Sequence, residues 1–467
     1  RDCLLSRGLG DVYKRQSLSQ ARFAEITGIS QYRLSEIELF KASPTPDELS
    51  RISNTAAAVL NGSIKVRKGK RISKKSFESS IIQTHPRRSY DITPRNAEYL
   101  RTLSALEQHF RAPRPQAPVA VSFFTGCGGM CYGLKAAGFN IVAANELVEA
   151  YKDIYRLNFG DIPFLSNNIC DVTDEEIRQL MDQYGEIDIM AGGPPCQGFS
   201  LAGKRDISDK RNTLFEYYLQ IASKIRPKII LMENVRLLTS MKAPDGTLVK
   251  DKIISTFQSI GYTGTFHIVN AADYSVPQNR ERVFFIGVRN DLDVPPVSLT
   301  PTCSDSSGLF ASLPPCFTFG DAVSDLEFLE SGECSADDSL HKATRHPEHV
   351  IRWLYDVPQG RSAHDNAESD MRPPSGYNTT YKRQVWSRPG CTVTTNFTMI
   401  SGCNNVHPIA TRAITVREAL RLQSFPDSFR FTGSSETIRT VIGNAVPPLL
   451  AYHIARQLIE HYNLANA

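Results

Sequence analysis

Short apolar runs and amphipathic stretches alternate along residues 118–289, and this alternation predicts an α/β domain. Apolar runs of about four to eight residues bounded by turn residues are typical of buried strands, whereas apolar positions three and four apart indicate helices. Strands are predicted at residues 119–124, 141–144, 187–191, 229–232 and 283–288. Helices are predicted between them at residues 151–157, 214–225 and 250–260. Strands separated by helices favour a mostly parallel sheet.

The alternation stops at residue 290. Residues 290–405 are rich in Pro, Ser and Gly, show little periodicity and hold five of the ten cysteines. Helical periodicity returns at residues 416–423 and 447–462. The pattern therefore predicts a smaller irregular domain at 290–405, followed at 406–467 by a C-terminal part of the α/β domain.

Residues 17–60 show helical periodicity with turn signals around Gly28 and at two prolines near residue 45. Ser30 is suited to cap a helix over residues 31–39, and two short helices joined through a glycine predict an all-α helix-turn-helix. The pattern Q-x-x-F-A-x-x-x-G-I-S-x-x-x-L-x-x-I-E resembles the repressor-type helix-turn-helix family. That resemblance implies that four side chains face DNA, namely Gln31, Tyr32, Arg33 and Ser35. A generic helical hairpin is the alternative.

The segments around this module differ in character. Residues 1–16 resemble a translated sequencing-adapter remnant and are expected to be a non-native leader. Residues 61–117 are predicted to be a basic, proline-rich linker that ends in RAPRPQAP. Within it, residues 61–75 carry seven Lys and Arg and no acidic residue. This run is either a solvated linker or an arm that contacts DNA phosphates.

Composition narrows the class of protein. The 467 residues carry 53 Lys and Arg against 49 Asp and Glu, and 41% of them are hydrophobic, which excludes a disordered or collagen-like chain. No apolar run approaches the roughly 18 residues of a membrane span. Ten cysteines without C-x-x-C pairs do not form a disulfide framework. We expect a soluble protein of a reducing compartment.

A glycine-rich loop follows the first predicted strand in the sequence FFTGCGG at residues 123–129. Glycines at such a position let a ligand approach the backbone closely. The dinucleotide pattern G-x-G-x-x-G fails because Cys131 stands where its third glycine belongs. Glu146 ends the next strand, where a carboxylate can accept hydrogen bonds from ribose hydroxyls. The combination favours S-adenosylmethionine over a nicotinamide dinucleotide.

A candidate nucleophile follows the third predicted strand. The loop GGPPCQGFS places Cys196 after two rigid prolines and between flanking glycines, which keep it accessible. Glu233 ends the next strand, so its side chain is expected in the same crevice. A thiol and a carboxylic acid beside a methyl donor form a reactive pair. An inert buried cysteine is the alternative.

Six motifs in this order resemble the DNA (cytosine-5)-methyltransferase family over about residues 118–462. They are GGPPCQGFS (192–200), DKRNTLF (209–215), ENV (233–235), QNRER (278–282), TVREALRLQSFPD (415–427) and GNAVP (443–447). The resemblance implies a Rossmann-like catalytic domain at 118–289 and 406–467, with residues 290–405 as the target-recognition domain. It also implies that S-adenosylmethionine is the cofactor and that double-stranded DNA carries the target cytosine, flipped out of the helix.

The resemblance implies a role for each residue of the catalytic set. The Cys196 thiolate adds to cytosine C6, protonated Glu233 hydrogen-bonds N3, and Arg282 with Arg280 holds the base's exocyclic oxygen and the pocket backbone. A structural salt-bridge network is the alternative for the two arginines. The loop 200–209 closes over the flipped base and contacts DNA through Ser200, Lys204 and Arg205. An ordinary basic surface loop is the alternative there.

Twelve residues are assigned to the cofactor by the same resemblance. They are Phe124, Thr125, Gly126, Gly128, Glu146, Leu147, Asn168, Ile169, Pro194, Leu214, Asn444 and Val446. One departs from the family, which usually has Asp where Asn168 stands to hold the adenine amino group, and Asp171 is the substitute candidate. A plain turn residue is the alternative for Asn444. The Cys and His residues of 290–405 lack the spacing of a zinc site, so no metal is expected.

These motifs predict a bacterial or phage DNA (cytosine-5)-methyltransferase in the cytoplasm, with a restriction endonuclease as a functional partner. The helix-turn-helix adds the hypothesis that the protein also controls transcription of its own gene. Two alternatives stay open. One is an RNA cytosine-5 methyltransferase on the same fold, and the other is a DNA-binding repressor with an inactive methyltransferase domain.

Overall fold

The computed structural model describes residues 20–30, 33–34, 37, 43–60, 81, 85–195, 214–305, 310, 312–374, 376–402 and 404–464. The chain divides into two compact units, Arg1–Phe77 and Glu78–Ala467. No helix in the described ranges combines the length and the apolar character needed to cross a membrane.

The first unit contains helices α1 (Gln20–Thr27) and α2 (Pro46–Leu60). A small core forms where the buried side chains of Phe23, Leu34 and Ile52 pack together. The Ser30 hydroxyl accepts a hydrogen bond from the Arg33 N–H at 3.2 Å, as predicted for a cap. Residues 33, 34 and 37 are helical, and the rest of the predicted helix, with Gln31, Tyr32 and Ser35, lies outside the described residues.

The structure gives Arg33 a contact within the first unit. Its Nε and Nη2 donate to the two carboxylate oxygens of Glu48 at 2.9 and 3.0 Å, and Nη2 also donates to the Ser43 carbonyl. The hydrogen bonds from Arg33 hold the pKa of Glu48 at about 2. These bonds join the predicted helix to α2, and the prediction that Arg33 faces DNA stays a prediction.

The second unit is built on a six-stranded sheet in the order β2-β1-β3-β4-β6-β5. The strands are β1 (Val119–Phe123), β2 (Asn140–Asn145), β3 (Ile189–Gly192), β4 (Ile229–Val235), β5 (Tyr262–Asn270) and β6 (Glu281–Arg289). Strands β1 to β4 are parallel, and β6 runs antiparallel to β4 and β5. The predicted α/β class with a mostly parallel sheet is confirmed.

Helices cover both faces of this sheet. They are α3 (Asn96–Arg111), α4 (Gly129–Ala137), α5 (Glu149–Phe159), α6 (Asp174–Tyr184), α7 (Leu214–Ile225) and α8 (Val249–Ser259). Successive strand residues point to opposite faces, so Leu231 belongs to the core under α3, α4 and α5, while Ile230 and Met232 belong to the core under α6, α7 and α8. Strands buried on both faces therefore appear in the sequence as continuous apolar runs.

The prediction that all of residues 61–117 form a linker is wrong for its second half. Helix α3 buries Tyr99, Leu103, Leu106 and Phe110 in the main core. The Phe110 ring stacks on the ring of Tyr132 in α4, with centroids 4.0 Å apart. The spacing of these four residues is helical, so the sequence contained the signal.

The remaining described elements are short helices and a C-terminal helical group. They are α9 (Phe319–Val323), α10 (Glu348–Leu354), α11 (Val416–Leu422), α12 (Ser435–Asn444) and α13 (Pro448–Tyr462). Residues 290–405 are largely irregular, as predicted, and contribute Phe317, Phe319 and Val393 to the main core. Residues 85–95 also dock on this region, where the Thr93 hydroxyl donates to Asp321 at 2.7 Å.

Candidate active site

The loop after β1 has the backbone shape of a ligand cradle. Phe124, Gly126 and Gly128 have φ angles of 55°, 54° and 96°, a region that residues other than glycine seldom occupy. A Cβ on Gly128 would lie 2.4 Å from the ring of Phe159, so only glycine fits there. At Gly126, apart from the neighbouring residues, no atom of the described chain lies within 4 Å of the corresponding position. Among the described residues, the loop is therefore packed at Gly128 and open at Gly126.

Glu146, at the end of β2, is hydrogen-bonded to this loop. Its carboxylate accepts the Gly126 N–H at 2.8 Å and the Val148 N–H at 2.9 Å. Burial raises the pKa of the carboxyl, and these two N–H groups partly oppose the rise. Two motifs 20 residues apart in the sequence thus form one site at the carboxyl ends of neighbouring strands.

The free groups of this site fit an adenosyl ligand. Thr125 Oγ1 is buried and has no hydrogen-bond partner in the described part of the chain. The Leu147 side chain, beside the carboxylate, is 64% exposed, unusual for a large apolar group. A ligand with hydroxyls and a flat apolar ring would satisfy the hydroxyl and cover the leucine.

Asn168 and Ile169 follow a short extension of the sheet, in which Phe164 pairs with Ala144 of β2. Asn168 caps a 3₁₀ turn over Ile169–Asp171, and its side-chain oxygen accepts the Cys170 N–H at 3.2 Å. Ile169 is buried and Asp171 is exposed. The Asn168 oxygen keeps a second lone pair with which it could accept a further hydrogen bond.

The motif near the C-terminus returns to the cofactor loop. A Cβ on Gly129, at the start of α4, would lie 2.4 Å from the Val446 carbonyl oxygen and 3.2 Å from the Ala445 Cβ. The segment 445–446 therefore packs directly against the helix that begins at the glycine loop. Asn444 ends α12 and is exposed, and Leu214, half-buried, begins α7.

The loop after β3 is fixed against the end of β4. The Asn234 amide donates to the Pro194 carbonyl at 2.9 Å. A Cβ on Gly193 would lie 3.1 Å from Glu233 Oε2, so this glycine lets the loop approach the carboxylate. Asn234 was not predicted to have a role, and the sequence signal for one was an amide directly after the acidic residue in the ENV motif. Cys196, Ser200, Lys204 and Arg205 lie outside the described residues.

Glu233 forms an ion pair with Arg282. Arg282 Nε lies 3.0 Å from Glu233 Oε1, and the two side chains are 14% and 12% exposed. The pairing follows from the register of the sheet, in which Arg282 of β6 stands opposite Val235 of β4. Burial raises the pKa of Glu233, and the charge of Arg282 opposes the rise. The result is a carboxyl of fixed orientation that can take up a proton.

Arg280 is hydrogen-bonded to backbone carbonyls of two distant segments. Its side chain is 1% exposed, and its two terminal nitrogens donate to the carbonyls of Val393 at 3.0 Å and Gly443 at 2.9 Å. The guanidinium thus ties residues 390–405 to the C-terminal motif. These contacts are consistent with the predicted role of holding the backbone of the pocket, and a contact between Arg280 and the base stays a prediction.

Tyr218 is a further supporting residue that was not predicted, and it lies beneath β3 and β4. The Tyr218 hydroxyl lies within hydrogen-bond distance of the Met190 and Leu231 carbonyls, at 2.9 and 3.1 Å, and so links β3 to β4. Within the described ranges no cluster of three or more His, Cys, Asp or Glu is placed to hold a metal ion.

Comparison with known proteins places this site in a family. Residues 119–460 match the family described as C-5 cytosine-specific DNA methylase. The type II methyltransferase M.DdeI of Desulfomicrobium norvegicum is 32% identical over 387 residues, which cover 74% of this chain and 90% of that protein. M1.HphI of Haemophilus parahaemolyticus is 34% identical over 344 residues, covering 73% of this chain and 86% of that protein.

The fold is also shared with solved structures. A crystal structure of a prophage-encoded E. coli protein, described as a DNA modification methyltransferase, superposes with a TM-score of 0.57 at 24% identity. The match covers 74% of this chain and 100% of that one. At this level of identity the likeness establishes the fold only.

Proposed function

This chain belongs to the C-5 cytosine-specific DNA methylase family, and on that premise we propose that it methylates its target cytosine through a covalent bond to Cys196. Family membership makes it a DNA (cytosine-5)-methyltransferase that uses S-adenosylmethionine as methyl donor. It also favours DNA over RNA as the substrate. The observation that carries the proposed mechanism is the buried Glu233–Arg282 pair, held against Gly193 three residues before Cys196.

The chemistry explains why both a thiol and a carboxyl are needed. Cytosine C5 is too weak a nucleophile to take a methyl group unaided. Addition of the Cys196 thiolate to C6, with a proton donated by Glu233 to N3, converts C5 into an enamine carbon. C5 then takes the methyl group and a base removes the C5 proton. Elimination of the thiolate, with return of the N3 proton to Glu233, restores the aromatic ring and the starting state of the enzyme.

The surroundings of Glu233 suit a proton donor. Burial raises its pKa, so a larger fraction of the carboxyl is protonated near neutral pH than for an exposed glutamate. Arg282 keeps the carboxyl in one orientation, and we assign its guanidinium to the exocyclic oxygen of the flipped base. Arg280 supports this pocket by tying its rim together.

The cofactor residues divide into three groups. We propose that Glu146 and Thr125 hydrogen-bond the ribose and amino-acid parts of S-adenosylmethionine, and that Leu147, Asn168 and Ile169 enclose its adenine. Phe124, Gly126, Gly128, Pro194, Leu214, Asn444 and Val446 complete the proposed cofactor site. When bound, S-adenosylmethionine supplies an electrophilic methyl group.

Trapping tests the covalent step. An oligonucleotide with 5-fluorocytosine at the target position cannot lose a proton from C5, so it should leave enzyme and DNA joined at Cys196. The Cys196→Ala variant should give no adduct, whereas Cys170→Ala, which removes an exposed free cysteine, should give the same yield as the wild type. An active preparation without an adduct would contradict the mechanism.

DNA recognition and regulation are further parts of the proposal. We assign base reading to residues 290–405 and DNA contacts to Ser200, Lys204 and Arg205. Operator binding is assigned to four residues of the first unit, Gln31, Tyr32, Arg33 and Ser35. Support for the last comes from a module with its own small core and a capped second helix. A gel shift of the full chain on its own promoter region tests it, and equal affinity for random DNA would remove it.

The target site can be tested directly, and a restriction partner is part of the same proposal. The similar proteins named above are type II methyltransferases, and we propose that a restriction endonuclease of the same site specificity accompanies this enzyme. Bisulfite sequencing of plasmid DNA from expressing cells should reveal one methylated site. Absence of methylation would favour the alternative of a repressor with an inactive domain.

A further inference from the structure

A lysine ammonium is buried beside the cofactor loop. Lys152 lies in the second turn of α5, and its side chain is only 4% exposed. Its Nζ donates to Glu149 Oε2 at 2.9 Å and to the side-chain oxygen of Asn167. Lysine side chains normally extend their charge into solvent. Burying an ammonium group costs free energy unless the group is paired and hydrogen-bonded, as Lys152 is.

The partner Asn167 belongs to a turn at residues 166–168, which lies between the sheet extension and the 3₁₀ turn at Ile169. The 166–168 turn is fixed from two further directions. The Asn145 amide donates to the Ser166 carbonyl and, at 3.2 Å, to the Asn167 carbonyl. The Glu176 carboxylate accepts the Ser166 N–H at 2.7 Å and its hydroxyl at 2.9 Å.

Lys152 contributes the positively charged contact among these. Asn145 and Glu176 hold Ser166 and the backbone of the turn, whereas Lys152 holds the side chain of Asn167, the residue next to Asn168. The same ammonium is close enough to Glu146 for its charge to counter the effect of burial on that carboxyl's pKa. Lys152 therefore lies behind both parts of the proposed adenosyl site.

We propose that Lys152 is a positioning residue for S-adenosylmethionine, fixing the 166–168 turn so that Asn168 and Ile169 meet the adenosyl half of the ligand. The inference rests on the proposed assignment of those two residues to the cofactor. It requires no contact between Lys152 and the ligand. Its effect should appear in cofactor affinity and not in the chemical step.

The test is calorimetric titration of S-adenosylhomocysteine into the full-length protein. Lys152→Met keeps the length of the side chain but removes the donor, and it should weaken binding by about tenfold, the scale of one charge-assisted hydrogen bond. Lys152→Arg should recover part of the loss. At saturating S-adenosylmethionine, kcat and the KM for DNA should stay at the wild-type values.

Lys228→Met is the matched control. Lys228 is also poorly exposed, at 14%, and pairs with Asp188 at 2.8 Å and Glu186 at 3.3 Å. It precedes β4, at the end of the sheet away from the cofactor loop, so its loss should leave S-adenosylhomocysteine affinity unchanged. Asn167→Ala should reproduce the effect of Lys152→Met, and the double variant should add little to either. Asn167→Ala also keeps the test decisive if Lys152→Met does not fold.

The outcomes separate this inference from the proposed function. If the wild type binds S-adenosylhomocysteine and both Lys152→Met and Asn167→Ala bind it equally well, the positioning role is wrong. If the wild type does not bind, the proposed function itself fails. Titration with 5′-methylthioadenosine, which lacks the amino-acid part, should show the same fold-loss. A loss confined to S-adenosylhomocysteine would contradict the assignment to the adenosyl half.

Discussion

The Glu233–Arg282 ion pair leads to a prediction about Arg282→Met. The loss in free energy of unfolding that this substitution causes should depend on pH. Arg282→Met removes the positive charge that lies 3.0 Å from Glu233 Oε1 and leaves the carboxylate buried. The Glu233 side chain is 12% exposed, so water solvates it poorly. Without Arg282, the buried negative charge can be removed only if the carboxylate takes up a proton. The cost of the substitution should therefore follow the cost of protonation.

The size of that cost can be bounded. In the unfolded chain the carboxyl has its ordinary pKa of 4.5, and protonating such a group costs about 3.4 kcal/mol at pH 7 and about 0.8 kcal/mol at pH 5. Because the pKa is raised in the folded state, the resulting loss of folding free energy is absent below pH 4.5. It grows as the pH rises toward the pKa of the folded state. Arg282→Met should thus be destabilised by up to about 3 kcal/mol at pH 7, and by less than about 1 kcal/mol at pH 5.

Urea unfolding at pH 5, 6 and 7 measures this difference. The chain has two tryptophans, Trp353 and Trp386, and both belong to the unit Glu78–Ala467, so their fluorescence reports on the unit that contains the pair. Glu233→Gln is the control, because it leaves an unpaired Arg282 that keeps its proton over this range. Its free energy of unfolding should lack the pH dependence that the carboxyl at position 233 contributes, so it gives the background against which Arg282→Met is compared.

Equal destabilisation of Arg282→Met at pH 5 and pH 7 would refute the reasoning. It would mean that the substitution acts through packing alone and that the charge of Arg282 does not control the protonation of Glu233. The account in which burial and the opposing charge of Arg282 together set the pKa of Glu233 would then be wrong.

Three other parts of the molecule can be tested by substitution, each with its own assay. Gly193→Ala places a methyl group 3.1 Å from Glu233 Oε2 and should lower kcat with S-adenosylhomocysteine affinity unchanged; a wild-type kcat would show that the loop yields easily. Tyr218→Phe leaves the Met190 and Leu231 carbonyls without their shared donor and should cost about 1–3 kcal/mol in urea unfolding, whereas Tyr217→Phe, 40% exposed, should cost nothing measurable. Replacing the Lys and Arg of residues 61–75 by Gln should flatten the salt dependence of duplex DNA binding, by about 0.9 in log–log slope for each phosphate that the protein no longer neutralises, and an unchanged slope would favour the solvated-linker alternative.

The strands show how far local pattern reaches. The predicted strands coincide with β1 to β4 and β6 because those strands are buried on both faces and must be apolar throughout. Strand β5 was not predicted, since it lies at the sheet edge with Phe266 and Ile268 partly exposed and interrupts its apolar residues with polar ones. Helix α3 was not predicted, although its buried residues follow helical spacing. Polar and proline-rich residues surround it, and these are typical of a linker.

The two arginines of the QNRER motif show where local pattern stops. Nothing in that motif distinguishes Arg280 from Arg282. Arg282 lies within β6 and meets Glu233 across the sheet, whereas Arg280 precedes the strand and meets the carbonyls of Val393 and Gly443, 113 and 163 residues further along. Those acceptors are brought to it only by the packing of residues 390–405 and the C-terminal helices.

The sequence by itself determined the chemical inventory of this protein: a thiol in a rigid loop, a carboxyl at a strand end and a glycine cradle with its acidic partner. These can be recognised because methyl transfer requires those functional groups and because neighbouring residues impose the local backbone shape. Only the tertiary structure decided which arginine faces the carboxyl, which charge is buried behind the cofactor loop, and that Arg33 binds Glu48. The reason is physical, since burial and charge pairing depend on distances between residues far apart in the chain, and packing alone sets those distances.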